Sequence, residues 1–215
     1  KKGYTPNGEI KKMTIKKNTG LSVLYIPHGG GPLLLLDHKG HLELIQFLKK
    51  IPEQLEPPDA IIIVSAHWEQ SIPTLTASAS PPLIYDYYGF APEAYEIDYP
   101  APGNPRIAEK LRSLLYEQNI HAQLDKRWGF DHGMYVPLKL MYPDAGIPCV
   151  QLSLINGLDP LQHIKVGYAL RALKDEKILV LGSGFSFHNM KTFGKTGTDP
   201  KNIEFDQWLV KTMTD

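Results

Sequence analysis

Imidazole can both ligate a divalent first-row metal and exchange a proton near neutral pH, and this chain carries eight histidines in 215 residues. Their contexts separate them. His28 closes the apolar run Val23–Pro27 and opens Gly29-Gly30-Gly31-Pro32, and His67 follows Ile61–Ala66. His188 comes soon after Ile178–Leu181 and Gly182-Ser183-Gly184, and His132 stands in a glycine-bounded turn, Asp131-His132-Gly133. His38, His41, His121 and His163 lie in polar or helical surroundings and read as solvated or helix-packing residues. Histidines that end apolar strands have a shared destination. In an open parallel sheet the carboxyl ends of the strands border the crevice where ligands bind, so side chains distant in sequence meet there. One strand-end histidine is a weak signal, whereas His28, His67 and His188 in the same topological position point to a metal centre.

The glycines after His28 admit two rival readings. A phosphate cradle is one, but the Lys-Ser/Thr ending of a P-loop and the spacing of a dinucleotide fingerprint are both missing. An oxyanion hole of the His-Gly-Gly-Gly kind is the other, and it requires a Gly-x-Ser-x-Gly elbow. The nearest stretch, Gly184-Phe185-Ser186-Phe187-His188, lacks the second glycine.

Strands and helices must alternate to bring these histidines together. Ser22–Pro27, Ala60–Ala66, Cys149–Leu154 and Ile178–Leu181 are short, nearly continuous apolar runs, as strands buried on both faces require. His41–Lys50, Pro105–Gln118 and Pro160–Lys174 are amphipathic, and Pro105 suits a first helical turn. The alternation predicts an α/β fold: a single domain with a largely parallel central sheet flanked by helices. Residues 1–20 are expected as a polar N-terminal extension and residues 21–215 as the catalytic domain. Between Ser71 and Asn104, prolines and tyrosines such as Pro81, Pro82, Tyr85, Tyr87, Tyr88 and Tyr95 predict a long ordered loop.

Composition narrows the function classes. A hydrophobic share of 42% in a chain of this length supports one good core. The 23 basic and 23 acidic residues cancel, and the N-terminal lysines are too scattered to follow a phosphate backbone, so nucleic acid and anionic membrane are not expected partners. The apolar runs are too short to span a bilayer, and the N-terminus lacks a signal-peptide pattern. The single cysteine, Cys149, cannot form an intramolecular disulfide, which suits a reducing cytoplasm.

Six blocks then occur in an order seen elsewhere. Pro27-His28-Gly29-Gly30-Gly31-Pro32, Ser65-Ala66-His67-Trp68, the loop from Pro81-Pro82-Leu83-Ile84-Tyr85-Asp86 to Tyr99-Pro100-Ala101-Pro102-Gly103, Trp128-Gly129-Phe130-Asp131-His132-Gly133, Met141-Tyr142-Pro143-Asp144 and Phe187-His188-Asn189 follow one another along residues 21 to 210. In this the chain resembles the class III extradiol dioxygenases of the 4,5-DOPA dioxygenase type, the LigB-like superfamily. The resemblance implies that His28 and His67 are metal ligands, and that His188 is a third active-site histidine, as ligand or as acid–base residue. It implies a substrate-binding or supporting role for His132. Family members supply a further ligand, His or Glu, beyond the position where this chain stops at Asp215, so a C-terminal segment of the family is expected to be missing.

The chemistry implied is insertion of O2 into a catechol-type diol to give a ring-opened semialdehyde, on a mononuclear non-haem Fe(II). Such cleavage needs few protein ligands on one side of the ion and open positions opposite. Neutral imidazoles leave charge room for the catecholate, and a histidine, His132 or His188, accepts the proton the diol must lose. Zinc, which follows iron in the affinity order, can occupy the same ligands in isolated protein. Tyr85 and Trp68 are candidate substrate contacts, with Trp128 beside them, against the plainer reading that they pack the loop and the core. The expected small-molecule partners are an aromatic diol and O2, and a homo-oligomer is allowed. Two other functions use the same histidines: a zinc-dependent hydrolase, and a non-catalytic metal-binding or interaction protein of the same fold.

Overall fold

The computed structural model describes residues 20–36, 39–186, 188 and 199–214. Residues 1–19 of the expected N-terminal extension, His38, and Phe187 and Asn189 of the last sequence block lie outside them.

Strands β1 (Ser22–Pro27), β2 (Ala60–Ser65), β6 (Cys149–Gln151) and β8 (Ile178–Gly184) form a four-stranded sheet in the order β1-β8-β2-β6. Every pairing in it is parallel. These are the apolar runs read from the sequence, and β2 shows why they are continuous. Ile61 and Ile63 belong to the core on one face of the sheet and Ile62 to the core on the other, and all three are fully buried. Removing each such side chain from water contributes about 1.5–3 kcal/mol.

Helices α1 (Leu42–Lys50) and α3 (His132–Met141) pack with the first core, and α2 (Pro105–Glu117) and α4 (Pro160–Leu170) with the second. Helix α2 starts where Asn104 caps the Ile107 amide and Pro105 supplies the first turn. Its buried Ala108, Leu111 and Leu115 form one stripe. Asp159 and Pro160 start α4 in the same way. The stretch expected as helix to Lys174 is α-helical only to Leu170 and finishes as a 3-10 turn, Arg171–Leu173.

Two expectations are corrected. The run Cys149–Leu154 is not one strand: after β6 the chain leaves the main sheet, and β7 (Leu154–Ile155) pairs with β3 (Glu69–Gln70). The turn around His132 is instead the start of α3, capped by Asp131, whose carboxylate accepts from the Met134 amide. Loop 71–104 is mainly irregular as expected, interrupted by β4 (Thr74–Thr76), which pairs with β5 (Gln123–Asp125), and by a 3-10 turn at Pro92–Tyr95. A final helix, α5 (Pro200–Thr214), was not read from the sequence.

Candidate metal centre

Pro27 of β1 is the register partner of Gly184 of β8, and Ser65 of β2 that of Ser183. His28 and His67 therefore leave the same carboxyl edge on either side of β8. His132 joins them as the first residue of α3, which packs against β2 and β8. One ligand atom from each of His28, His67 and His132 lies within 4.8 Å of the other two. The Nε2 atoms of His28 and His67 are 3.1 Å apart. Two glycines permit this crowding. A Cβ on Gly133 would stand 2.3 Å from Ser65 Oγ and 3.2 Å from His67 Cδ2, while Gly29 adopts φ +75° with Leu34 filling the space a Cβ would need.

The outward nitrogens are held by oxygens. Ser183 donates its hydroxyl to the Gly133 carbonyl, so its oxygen accepts from His28 Nδ1, 2.9 Å away. This leaves the His28 Nε2 lone pair facing inward. The Asp86 carboxylate accepts from both the backbone amide and Nδ1 of His132 through Oδ1, at 3.0 and 2.8 Å. Its other oxygen, Oδ2, lies 3.5 Å from His67 Nδ1. A neutral His67 thus has one proton and two acceptors, Asp86 on one side and His28 Nε2 on the other. With the proton on the Asp86 side, two imidazole lone pairs oppose each other at 3.1 Å. A cation resolves that opposition. Nitrogen ligands sit about 2.0–2.1 Å from a bound zinc ion, so two of them sharing one ion must be closer than about 4.2 Å. The donor set therefore fits a divalent metal.

Electrostatics agree. Burial, reinforced by His67 and His132, lowers the His28 pKa from 6.5 to about 3. Burial and His132 lower that of His67 to about 4. Both imidazoles are neutral at pH 7, the form that binds metal. Burial alone would raise Asp86, but the hydrogen bond and charge of His132, with His67 beyond, bring it below its ordinary value. His28 and His132 are buried while His67 is exposed, so the cluster opens toward solvent on the His67 side. Beneath it lies a buried polar layer in which Ser65 and Gln151 both donate to Asp131, whose pKa burial pushes upward. This layer fixes the start of α3 against β2 and β6.

His188 is exposed, lies edge-on to Phe185 at 6.5 Å between ring centroids, and contributes a little to lowering the His67 pKa, but it is outside the three-histidine group. Trp68 is 1% exposed and stacks on Trp128 at 5.3 Å, so it is packed in the core rather than offered to a substrate. Tyr85 is partly exposed and spends its hydroxyl on the Ile97 carbonyl. Nearer the histidines are Tyr87, edge-on to His132 at 5.7 Å, and Phe185, edge-on to His28 at 5.4 Å. Asp86 and Ser183 are site residues that the sequence reading does not single out. The available signal was general: a metal-binding histidine needs an oxygen acceptor at its second nitrogen.

Comparison with known proteins gives the geometry a context. A family profile described as "Catalytic LigB subunit of aromatic ring-opening dioxygenase" matches residues 23–215. A protein named dioxygenase tasH, from Hapsidospora irregularis, is 46% identical over 178 residues, 79% of this chain and 55% of that protein. Proteins named 4,5-DOPA dioxygenase extradiol are 38% identical in Mirabilis jalapa, over 86% of this chain and 70% of theirs, and 37% identical in Escherichia coli (strain K12), over 95% and 75%. The crystal structure of an uncharacterized protein from Escherichia coli K12 superposes with a TM-score of 0.67 at 36% identity, over 80% of this chain and 66% of that one. The chain thus spans little more than half the length of the tasH protein.

Proposed function

The chain belongs to the LigB family of aromatic ring-opening dioxygenases, and from that premise we propose that it is an extradiol dioxygenase acting on a catechol-type diol with Fe(II). The observation that carries this reading is the convergence of His28, His67 and His132 at the carboxyl edge of the sheet.

In this proposal His28 and His67 would hold the ion through Nε2. Iron(II), when bound, supplies the open coordination positions at which diol and dioxygen meet. Ser183, accepting from His28 Nδ1, and Asp86, whose carboxylate faces His67 Nδ1 at 3.5 Å, keep the two imidazoles turned inward. His132 takes the diol proton on Nε2, the nitrogen left free by its bond to Asp86, and that carboxylate stabilises the imidazolium formed. His188, on the exposed side, passes protons between His67's surroundings and solvent. Phe185 and Tyr87 stand in T-shaped contact with His28 and His132 respectively, aromatic neighbours suited to a flat aromatic substrate. The product is a ring-opened semialdehyde. Among the described residues no helix is long and apolar enough to cross a membrane. The free thiol of Cys149 is buried, and burial pushes its pKa up to about 12. Such an unpaired thiol supports, within this proposal, a reducing cytoplasmic setting.

The test is anaerobic Fe(II) loading followed by a panel of catechols, DOPA among them, with an oxygen electrode and absorbance recorded together. Oxygen uptake and a yellow product are expected. His132→Ala is expected to keep its iron and to turn over about 10²–10⁴-fold more slowly. Iron-loaded protein that consumes no oxygen with any catechol contradicts the reading.

A further inference from the structure

One carboxylate touches two of the three clustered histidines, and it comes from neither the sheet nor α3. Asp86 lies on the aromatic loop. That loop is fixed where Phe130 donates its amide to the Pro82 carbonyl and accepts from the Ile84 amide, a one-residue parallel bridge. The bridge sets Asp86 against the first turn of α3 with its two oxygens dividing the work. Oδ1 accepts from the His132 amide and Nδ1, and Oδ2 faces His67 Nδ1 at 3.5 Å.

We propose that Asp86 is a positioning residue that sets the tautomer of His67, drawing its proton to Nδ1 so that Nε2 faces His28 as a ligand rather than as a donor. The alternative tautomer is available: with its proton on Nε2, His67 donates to His28 Nε2 across 3.1 Å and closes the site with a hydrogen bond. A metal ion must then break that bond before it binds. Asp86 removes the competing state. The same carboxylate keeps His132 as the Nδ1–H tautomer, because a carboxylate only accepts. The inference rests on the reading of His67 as a ligand, but not on which reaction the bound metal serves.

Asparagine separates the two jobs of Asp86 by atom. A backbone amide can only donate, so the carboxamide oxygen of Asp86→Asn stays on His132 and its NH2 group turns to His67 Nδ1. That nitrogen then becomes an acceptor, and the His67 proton moves to Nε2. The expected result in metal-free Asp86→Asn, read by nitrogen NMR of the imidazoles, is His67 as the Nε2–H tautomer and His132 unchanged. In wild type both are expected as Nδ1–H. Zn(II) titration, with the metal alone as probe, is expected to show affinity lowered about 10–100-fold in Asp86→Asn. Asp86→Glu, which keeps two acceptor oxygens, is expected to retain more of that affinity. A folded Asp86→Asn protein with wild-type zinc affinity and tautomers overturns the proposal. So does an Nε2–H tautomer on His67 in metal-free wild type, a result that needs no variant to fold. Neither measurement uses turnover, so an Asp86→Asn shift in a protein that cleaves no catechol would sink the dioxygenase reading and leave this one standing.

Discussion

The carboxyl edge of the sheet and the aromatic loop of residues 81–99 meet at His132, and they are held by different means. At the edge, His28, which directly follows β1, and Ser183 of its partner strand β8 are 155 residues apart in sequence, so their contact exists only when the sheet has assembled. In the loop, Tyr85 donates to Ile97, Tyr87 to Ala94 and their rings pack on Tyr95, all within a short span of chain. From α3, Tyr135 donates to the Tyr87 hydroxyl and His132 meets the Tyr87 ring. The edge gains precision from rigid elements and the loop gains shape from its own side chains. A site on the edge should therefore fail sharply when one group is removed, and a wall made by the loop should fail gradually.

The most severe break in that contrast is loss of one of the proposed edge ligands. His28→Ala and His67→Ala are each expected to abolish retention of iron after desalting, measured by metal analysis of folded protein. Ser183→Ala leaves the buried His28 Nδ1–H without its acceptor and is expected to weaken metal binding about 10–100-fold, by equilibrium titration.

Acid should act on the edge as well. In the folded, metal-free protein His28 and His67 titrate near 3 and 4, below their ordinary 6.5. The unfolded chain therefore binds more protons than the folded one between about pH 6.5 and 3. Stability from these groups is fully present above 6.5 and is lost as pH falls through that window. Denaturant unfolding of metal-free protein at pH 7 and pH 5 is expected to show the drop, and His28→Gln to show a smaller one. The mildest effect is expected in the loop: Tyr85→Phe gives up its bond to the Ile97 carbonyl, costing about 0.5–1.5 kcal/mol of stability, with metal affinity unchanged.

The contrast also explains which parts were legible in the sequence. His28 and His67 stood out because each follows an apolar run, although only β2 is buried on both faces: edge strand β1 leaves Val23 and Tyr25 exposed. Helix α3 was misread as a turn because it is buried almost all round and contains Pro137, leaving no one-sided stripe to mark it. The pairs β3 with β7 and β4 with β5 have two or three residues per strand, too few for any period to show. In α5 the exposed Ile203, Phe205, Trp208 and Val210 are spread around the helix instead of lining one side. Asp86 was hidden for another reason. Its part depends on which residue the loop bridges to, and a carboxylate among tyrosines carries no mark of the two imidazoles it will face. Trp68 shows the converse, since a tryptophan beside a strand-end histidine looks like a site residue until its ring is found stacked in the core.

X-ray absorption on anaerobically Fe(II)-loaded protein reads the centre most directly, because imidazole rings leave an outer-shell scattering pattern around the metal they bind. Scattering from at least two imidazoles per iron is expected in the wild type, with a clear loss in any iron that His67→Ala can be made to hold. Absence of imidazole scattering, or identical spectra for wild type and His67→Ala, would contradict a metal held at the carboxyl edge by His28 and His67.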